Sequence, residues 1–246
     1  MWLRLRTGLA SRTVKVGAIL YLGMRWFDRL LGLISTVVLA RLLSPEDFGL
    51  IALAMTVIGL AAVLLDMGIN IALIQRKELS KGDIDTAWTL RLIQYLGIAV
   101  GIGIAAPLVA DYYLDPRLTR VLIVLAIAHG VQAFQGMGPV LLQKEMRFAR
   151  EVGFFMSRRL IGFSVTLVLA WWLQSYWALV LGALTASIAG VILSYVVYPM
   201  MPAVSLTSWR IFTGASVWMT LRSFCAYSNE QVDKLVVGKR EGAGVL

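Results

Sequence analysis

Three ionisable side chains stand where apolar ones would be expected. Arg25, Asp28 and Arg29 fall inside the first long apolar stretch, and their spacings of three and four place them on one face of a helix. The residues that follow, Leu30–Leu43, are too few to cross a bilayer alone, so a span here includes or closely approaches the cluster. A charge at the centre of a membrane costs at least about 2.5–3.5 kcal/mol on insertion scales, so this face must look onto protein or water. Two readings fit the spacing. The three side chains form a cationic cavity wall that Asp28 partly neutralises, or they form a structural ion-pair patch whose arginines snorkel to the interface.

Arg222 raises the same question in the last apolar segment. Thr220, Ser223, Ser228, Asn229, Glu230 and Asp233 surround it with a polar stripe, which favours a buried helix and a cavity-lining arginine over a structural pair. Asp66 is the third case, with Asn70 one turn on and Gly68 between them to loosen the backbone. An intramembrane carboxylate can carry a coupling proton, or it can simply be paired with a neighbouring arginine. His129, near Gln132 and Gln135, reads as a hydrogen-bonded interior histidine. With one histidine and one cysteine, Cys225, neither a structural zinc site nor an internal disulfide is expected. No G-x-S-x-G, H-E-x-x-H, P-loop or Asp-rich metal-diphosphate motif occurs, so no catalytic residue and no cofactor are assigned.

The elements that must position these residues are membrane helices. The chain is 59% hydrophobic and 15% charged, with a mean hydropathy of +0.78. A soluble domain has about 45–50% apolar and about 25% charged residues. Seven apolar segments are long enough to span: Val14–Leu43, Phe48–Ile74, Ile84–Ala110, Leu118–Leu142, Phe154–Leu173, Tyr176–Tyr198 and Ile211–Val237. They show no strand-like alternation, which excludes a β-barrel reading. The expected fold is an all-α polytopic bundle. Residues 1–13 form an N-terminal segment, 14–200 a six-helix lobe, and 201–246 a linker with the first helix of a second lobe. Ser44-Pro45-Glu46-Asp47 and Ser80-Lys81-Gly82-Asp83 carry helix-start chemistry, with a hydroxyl and a carboxylate at reciprocal capping positions.

Charge placement explains the net charge of +9 without nucleic acid. Basic residues crowd the N-terminus (Arg4, Arg6, Arg12, Lys15), the second connection (Arg76, Lys77, Lys81, with Arg91 behind) and the fourth (Lys144, Arg147, Arg150, with Arg158 and Arg159 just beyond). The alternate connections are poorer. The positive-inside rule then puts the N-terminus in the cytoplasm. The interrupted first stretch lacks a small-residue cleavage site, so the first helix is expected to be retained. Lys234, Lys239 and Arg240 run against the rule at the far end. Trp171, Trp172, Tyr176 and Trp177 read as an interfacial aromatic belt.

Three runs carry a family resemblance. Ala40-Arg41-Leu42-Leu43-Ser44-Pro45-Glu46-Asp47-Phe48-Gly49-Leu50 resembles the signature of polysaccharide biosynthesis proteins of the O-antigen flippase type. Leu65–Arg76 is similar to the family's second-helix ending, and Asp233-Lys234-Leu235-Val236-Val237-Gly238 to its D-x-L-hydrophobic-hydrophobic-G motif. The resemblance covers the chain from about Val14 onward and is nearest the colanic-acid and lipopolysaccharide exporter type. It implies the two-lobed fold of the multidrug/oligosaccharidyl-lipid/polysaccharide superfamily. It also implies alternating access and an undecaprenyl-diphosphate-linked oligosaccharide as cargo, with glycan polymerase and export machinery as further partners. On that implication Arg25, Arg29 and Arg222 would hold the diphosphate, and Asp28 or Asp66 would carry a coupling ion. The chain stops at Gly244-Val245-Leu246, where the family continues with a second lobe, so a fragment is expected. Rival readings are a cation-coupled drug antiporter, which would prefer acidic cavity residues, a non-transporting scaffold for glycan assembly, and a membrane transferase lacking its catalytic residues.

Overall fold

The computed structural model describes residues 2–65 and 68–213. Arg222, Asp66 and the last expected span beyond 213 lie outside the described residues. Within them the chain is a helical bundle: α1 (Trp2–Leu42), α2 (Pro45–Leu64), α3 (Ile69–Gln75), α4 (Lys81–Tyr113), α5 (Arg117–Val131), a short 3-10 turn (Gln132–Phe134), α6 (Gly138–Lys144), α7 (Phe148–Leu173), α8 (Trp177–Val197) and α9 (Trp209–Thr213).

Both expected capping boxes form. Ser44 Oγ accepts the Asp47 amide and Ser80 Oγ the Asp83 amide, while each carboxylate accepts the cap amide in return. The first helix starts at Trp2 rather than Val14, because no proline in Trp2–Thr13 stops it. Two expected spans are broken. Phe48–Ile74 divides at Gly68, whose left-handed φ of 61° ends one helix and starts the next. Leu118–Leu142 divides where Gln135 turns extended, giving α5, the 3-10 turn and α6. Apolar periodicity runs through both breaks, so hydropathy alone does not show them.

Among the described residues five helices are long and apolar enough to cross a membrane: α2, α4, α5 with its 3-10 turn, α7 and α8. α1 carries Arg25, Asp28 and Arg29 mid-length and does not join them. The outer faces suit lipid: Ile104, Leu108, Val168 and Val196 are all at least 64% exposed. Trp171 and Trp172 are exposed at the end of α7, whereas Tyr176 and Trp177 pack inward.

Lipid tails are as apolar as leucine, so helices here are held by close packing rather than by escape from water. The α7–α8 contact is the clearest case. A Cβ on Gly182 would lie 1.9 Å from Thr166 Oγ1, and one on Gly162 2.8 Å from Ala186 Cβ. Gly162 and Thr166 on α7 face Gly182 and Ala186 on α8, small residues four apart on both helices. A separate aliphatic core joins α2, α4, α5 and α8 through Leu50, Leu53, Ile98, Ile102, Leu122 and Val180.

The basic connections gather at one end. Lys144 Nζ donates to the carbonyls of Leu73, Ile74 and Arg76, which close α3. After α8 the chain runs extended along the start of α4. There Ala203 N–H donates to Asp85, Ser205 N–H to Thr89 and Ser208 N–H to Thr86.

Candidate functional site

α1, α7 and α8 enclose a groove of about 480 Å³. Its floor is set by the small residues of the α7–α8 contact, and its polar wall is made by Asp28, Arg158, Arg159 and Thr166. Asp28 Oδ1 and Arg159 Nε are 3.5 Å apart. Arg158 points further in. Its Nη2 donates to Gln132 Oε1 at 3.1 Å, and Gln132 Nε2 in turn donates to Ser187 Oγ at 3.1 Å. Gly190 makes that reach possible, since a Cβ there would stand 3.1 Å from Arg158 Cδ.

The relay continues to the break between α5 and α6, where helix-ending carbonyls need donors. Arg91 Nη2 donates to the Gln135 carbonyl, and Tyr195 Oη to the Phe134 carbonyl at 2.8 Å. Ser194 Oγ accepts the Gly136 amide at 2.9 Å. Arg91 is buried, and its Nε has no partner among the described residues. Beside it, His129 stacks on Tyr95 with ring centroids 4.6 Å apart. The expectation of a hydrogen-bonded His129 is corrected on one point: its Nε2 is buried without a partner among the described residues, and the ring stacks on Tyr95. His129, Tyr95, Asn70 and Gln94 line a second cavity of about 300 Å³.

The electrostatics follow from the side chains present. Guanidinium does not deprotonate in proteins, so Arg91, Arg158 and Arg159 are permanent positive charges. Of these three arginines, only Arg159 has a carboxylate within ion-pair distance among the described residues. Among the described residues, Arg91 and Arg158 therefore carry positive charge that no carboxylate pairs with. Guanidinium binds phosphate and carboxylate oxygens bidentately, so an anionic group is the ligand this chemistry accommodates.

Of the residues singled out from sequence, Asp28 lines the groove, while Arg25 and Arg29 are exposed on α1 and do not. Arg29 instead sits 6.0 Å from the centroid of the Trp26 ring. Arg91, Arg158 and Arg159 correct the loop-based charge count. Each lies about ten residues inside its helix, or about 15 Å at 1.5 Å per residue. Measuring that depth from the capping box before α4 would have identified Arg91.

Such a bundle, with apolar outer faces and with Arg91 and Arg158 turned inward, defines a multi-pass α-helical membrane protein. The family model described as "Polysaccharide biosynthesis protein" matches residues 38–246. The lipopolysaccharide biosynthesis protein WzxC of Escherichia coli (strain K12) is 30% identical over 219 residues, covering 87% of this chain and 44% of that protein. An uncharacterized membrane protein in the cps region of Klebsiella pneumoniae is 24% identical, covering 87% of this chain and 45% of that one. The succinoglycan biosynthesis transport protein ExoT of Rhizobium meliloti (strain 1021) is 25% identical over 137 residues, covering 56% of this chain and 28% of ExoT. No solved structure matches this chain at a significant level. The chain belongs to the polysaccharide biosynthesis protein family, and it spans a little under half the length of the first two relatives.

Proposed function

We propose that the protein moves a lipid-linked oligosaccharide across the bacterial inner membrane for lipopolysaccharide or exopolysaccharide biosynthesis. It does so by alternating access, with its N-terminus in the cytoplasm and without covalent chemistry. The supporting observation is the meeting of Arg158 and Arg159 in the groove, with Asp28 as the one carboxylate among its described lining residues. A cargo whose anchor is undecaprenyl diphosphate supplies the missing negative charge. The names of the relatives, one a lipopolysaccharide biosynthesis protein and one a succinoglycan transport protein, point the same way.

In this reading Arg158 and Arg159 draw the diphosphate into the groove. Arg25, Arg29 and Arg222 are proposed as further contacts on faces that a second lobe would complete. Residues 14–200 are proposed as the first lobe behind the N-terminal segment 1–13, and 201–246 as the linker and first helix of the second. Asp28 and Asp66 are the proposed ion-coupling carboxylates, and Asp28 must leave Arg159 to act. A cation-exporting antiporter is disfavoured by the same excess of positive charge.

The test is to deplete the protein and extract lipid-linked oligosaccharides. Accumulation of the lipid-linked species inside the cell with loss of surface polysaccharide is expected. Normal surface glycan without accumulation would point to the antiporter. Loss of glycan synthesis without accumulation would point to a scaffold or an enzyme.

A further inference from the structure

Glu151 has no place in the groove. It sits in the first turn of α7, only 3% exposed, with Oε2 buried and lacking a hydrogen-bond partner among the described residues. The group facing it is the buried hydroxyl of Tyr21 on α1, which interacts with the Glu151 carboxyl. Beside that hydroxyl stands Gln143 of α6. No lysine or arginine among the described residues pairs with Glu151, although the neighbouring connection is basic. Lys144 is committed to the α3 carbonyls and Arg147 to Glu145 at 3.3 Å.

A carboxylate buried without a cation carries a desolvation cost of several kcal/mol on the charged form, whereas the neutral acid has a proton to donate and a hydroxyl to meet. The surrounding seam is built for close approach. A Cβ on Gly17 would fall 2.4 Å from the Phe148 ring, and Tyr21 packs edge-on to Phe148 at 5.7 Å. Immediately beside the seam, Val16, Leu20, Arg147 and Phe148 line an open cavity of about 550 Å³, which gives water a route.

We propose that Glu151 is a proton-binding site whose occupancy controls the α1–α7 seam. With the proton bound, the neutral acid and Tyr21 stay in contact and the seam is closed. With the proton released to water from the adjoining cavity, the carboxylate must be hydrated and α1 separates from α7 at this end. This site differs physically from Asp28, whose charge is held by Arg159. It does not depend on the identity of the cargo.

Two measurements on the full-length protein in nanodiscs test it. Dicyclohexylcarbodiimide modifies protonated carboxyls in apolar surroundings. The adduct is expected on the peptide bearing Glu151, falling several-fold as pH is raised and absent in Glu151→Gln. Separately, Leu20→Cys in a Cys225→Ser background reports seam opening by its reaction with a polar maleimide, normalised to a Glu78→Cys reference thiol. Its relative reactivity is expected to rise several-fold with pH when Glu151 is present and to be flat in Glu151→Gln. Modification of other carboxyls with Glu151 untouched, or a flat Leu20→Cys profile with Glu151 present, overturns the proposal. Neither result bears on glycan export, which is scored separately.

Discussion

Where the α1–α2, α4–α5 and α7–α8 connections meet, leucine, isoleucine and valine from α2, α4, α5 and α8 close a dry core, and Arg117 is matched by Asp115 with contacts of 2.9–3.3 Å. At mid-depth and toward the basic end, Arg91, Gln132, Arg158, Ser187 and Glu151 lie between helices, and the chain breaks at Gly68 and Gln135. The first region closes on its own apolar side chains, with backbone strain confined to Leu114 and Gln174, which end their helices at left-handed φ of 57° and 44°. The second keeps charge away from lipid at a cost that packing does not recover, since buried unpaired charge opposes stability. Such cost concentrated in one region is what a working site looks like, and a scaffold would have no use for it.

The largest test of this contrast lies at the joint between the regions. Gly182→Leu forces a side chain into Thr166 and is expected to destabilise the bundle by about 3 kcal/mol or more, seen as lost monodisperse protein in detergent. Gly97→Leu, where an added Cβ meets nothing within 4 Å, should be neutral. Equal loss in both would mean that glycine itself, not close packing, matters.

Next in size is Gln132→Leu. It removes the acceptor of Arg158 and the donor to Ser187, leaving a guanidinium unsatisfied, for about 1–3 kcal/mol. Thermal unfolding in detergent reads this, and an unchanged midpoint would show that the relay is not formed. Ser194→Ala orphans the Gly136 amide at the helix break and should lower stability by about 1 kcal/mol in the same assay.

The smallest effect belongs to the dry end. Burial pushes the Asp115 carboxyl up, but the hydrogen bonds and charge of Arg117 outweigh it and hold the carboxyl below the usual carboxylate range. A group depressed in the folded state stabilises above its unfolded value and loses that contribution as pH falls through the folded one. Asp115→Asn should therefore cost under about 1 kcal/mol at neutral pH, because the Arg117 side chain is 41% exposed and solvent screens the pair. The difference from wild type should vanish in acid. A difference that grows in acid would contradict the pair.

The sequence shows the helices and hides the site for one physical reason. Hydropathy registers how apolar a stretch is, and Ser44 and Ser80 announce helix starts through local chemistry. Gly68 and Gln135 break helices through backbone angles that an apolar run conceals. Arg25, Asp28 and Arg29 stand out because they interrupt leucines, yet only Asp28 reaches the groove. Arg91 and Arg158 pass for loop charges because only the folded chain sets them against Gln135 and Gln132. Glu151 gives no signal, since one carboxylate among basic residues reads as a surface charge until its burial is known.

The central claim is that positive charge in the α1–α7–α8 groove serves the cargo. Arg159→Gln and Arg158→Gln in the full-length protein, scored for surface polysaccharide at matched membrane abundance, test it most directly, with exposed Arg120→Gln as the reference. Loss of export of about tenfold or more in both groove variants is expected, corresponding to at least about 1.4 kcal/mol, with lysine replacements partly restoring it and Arg120→Gln exporting normally. Normal export from both groove variants would contradict the account.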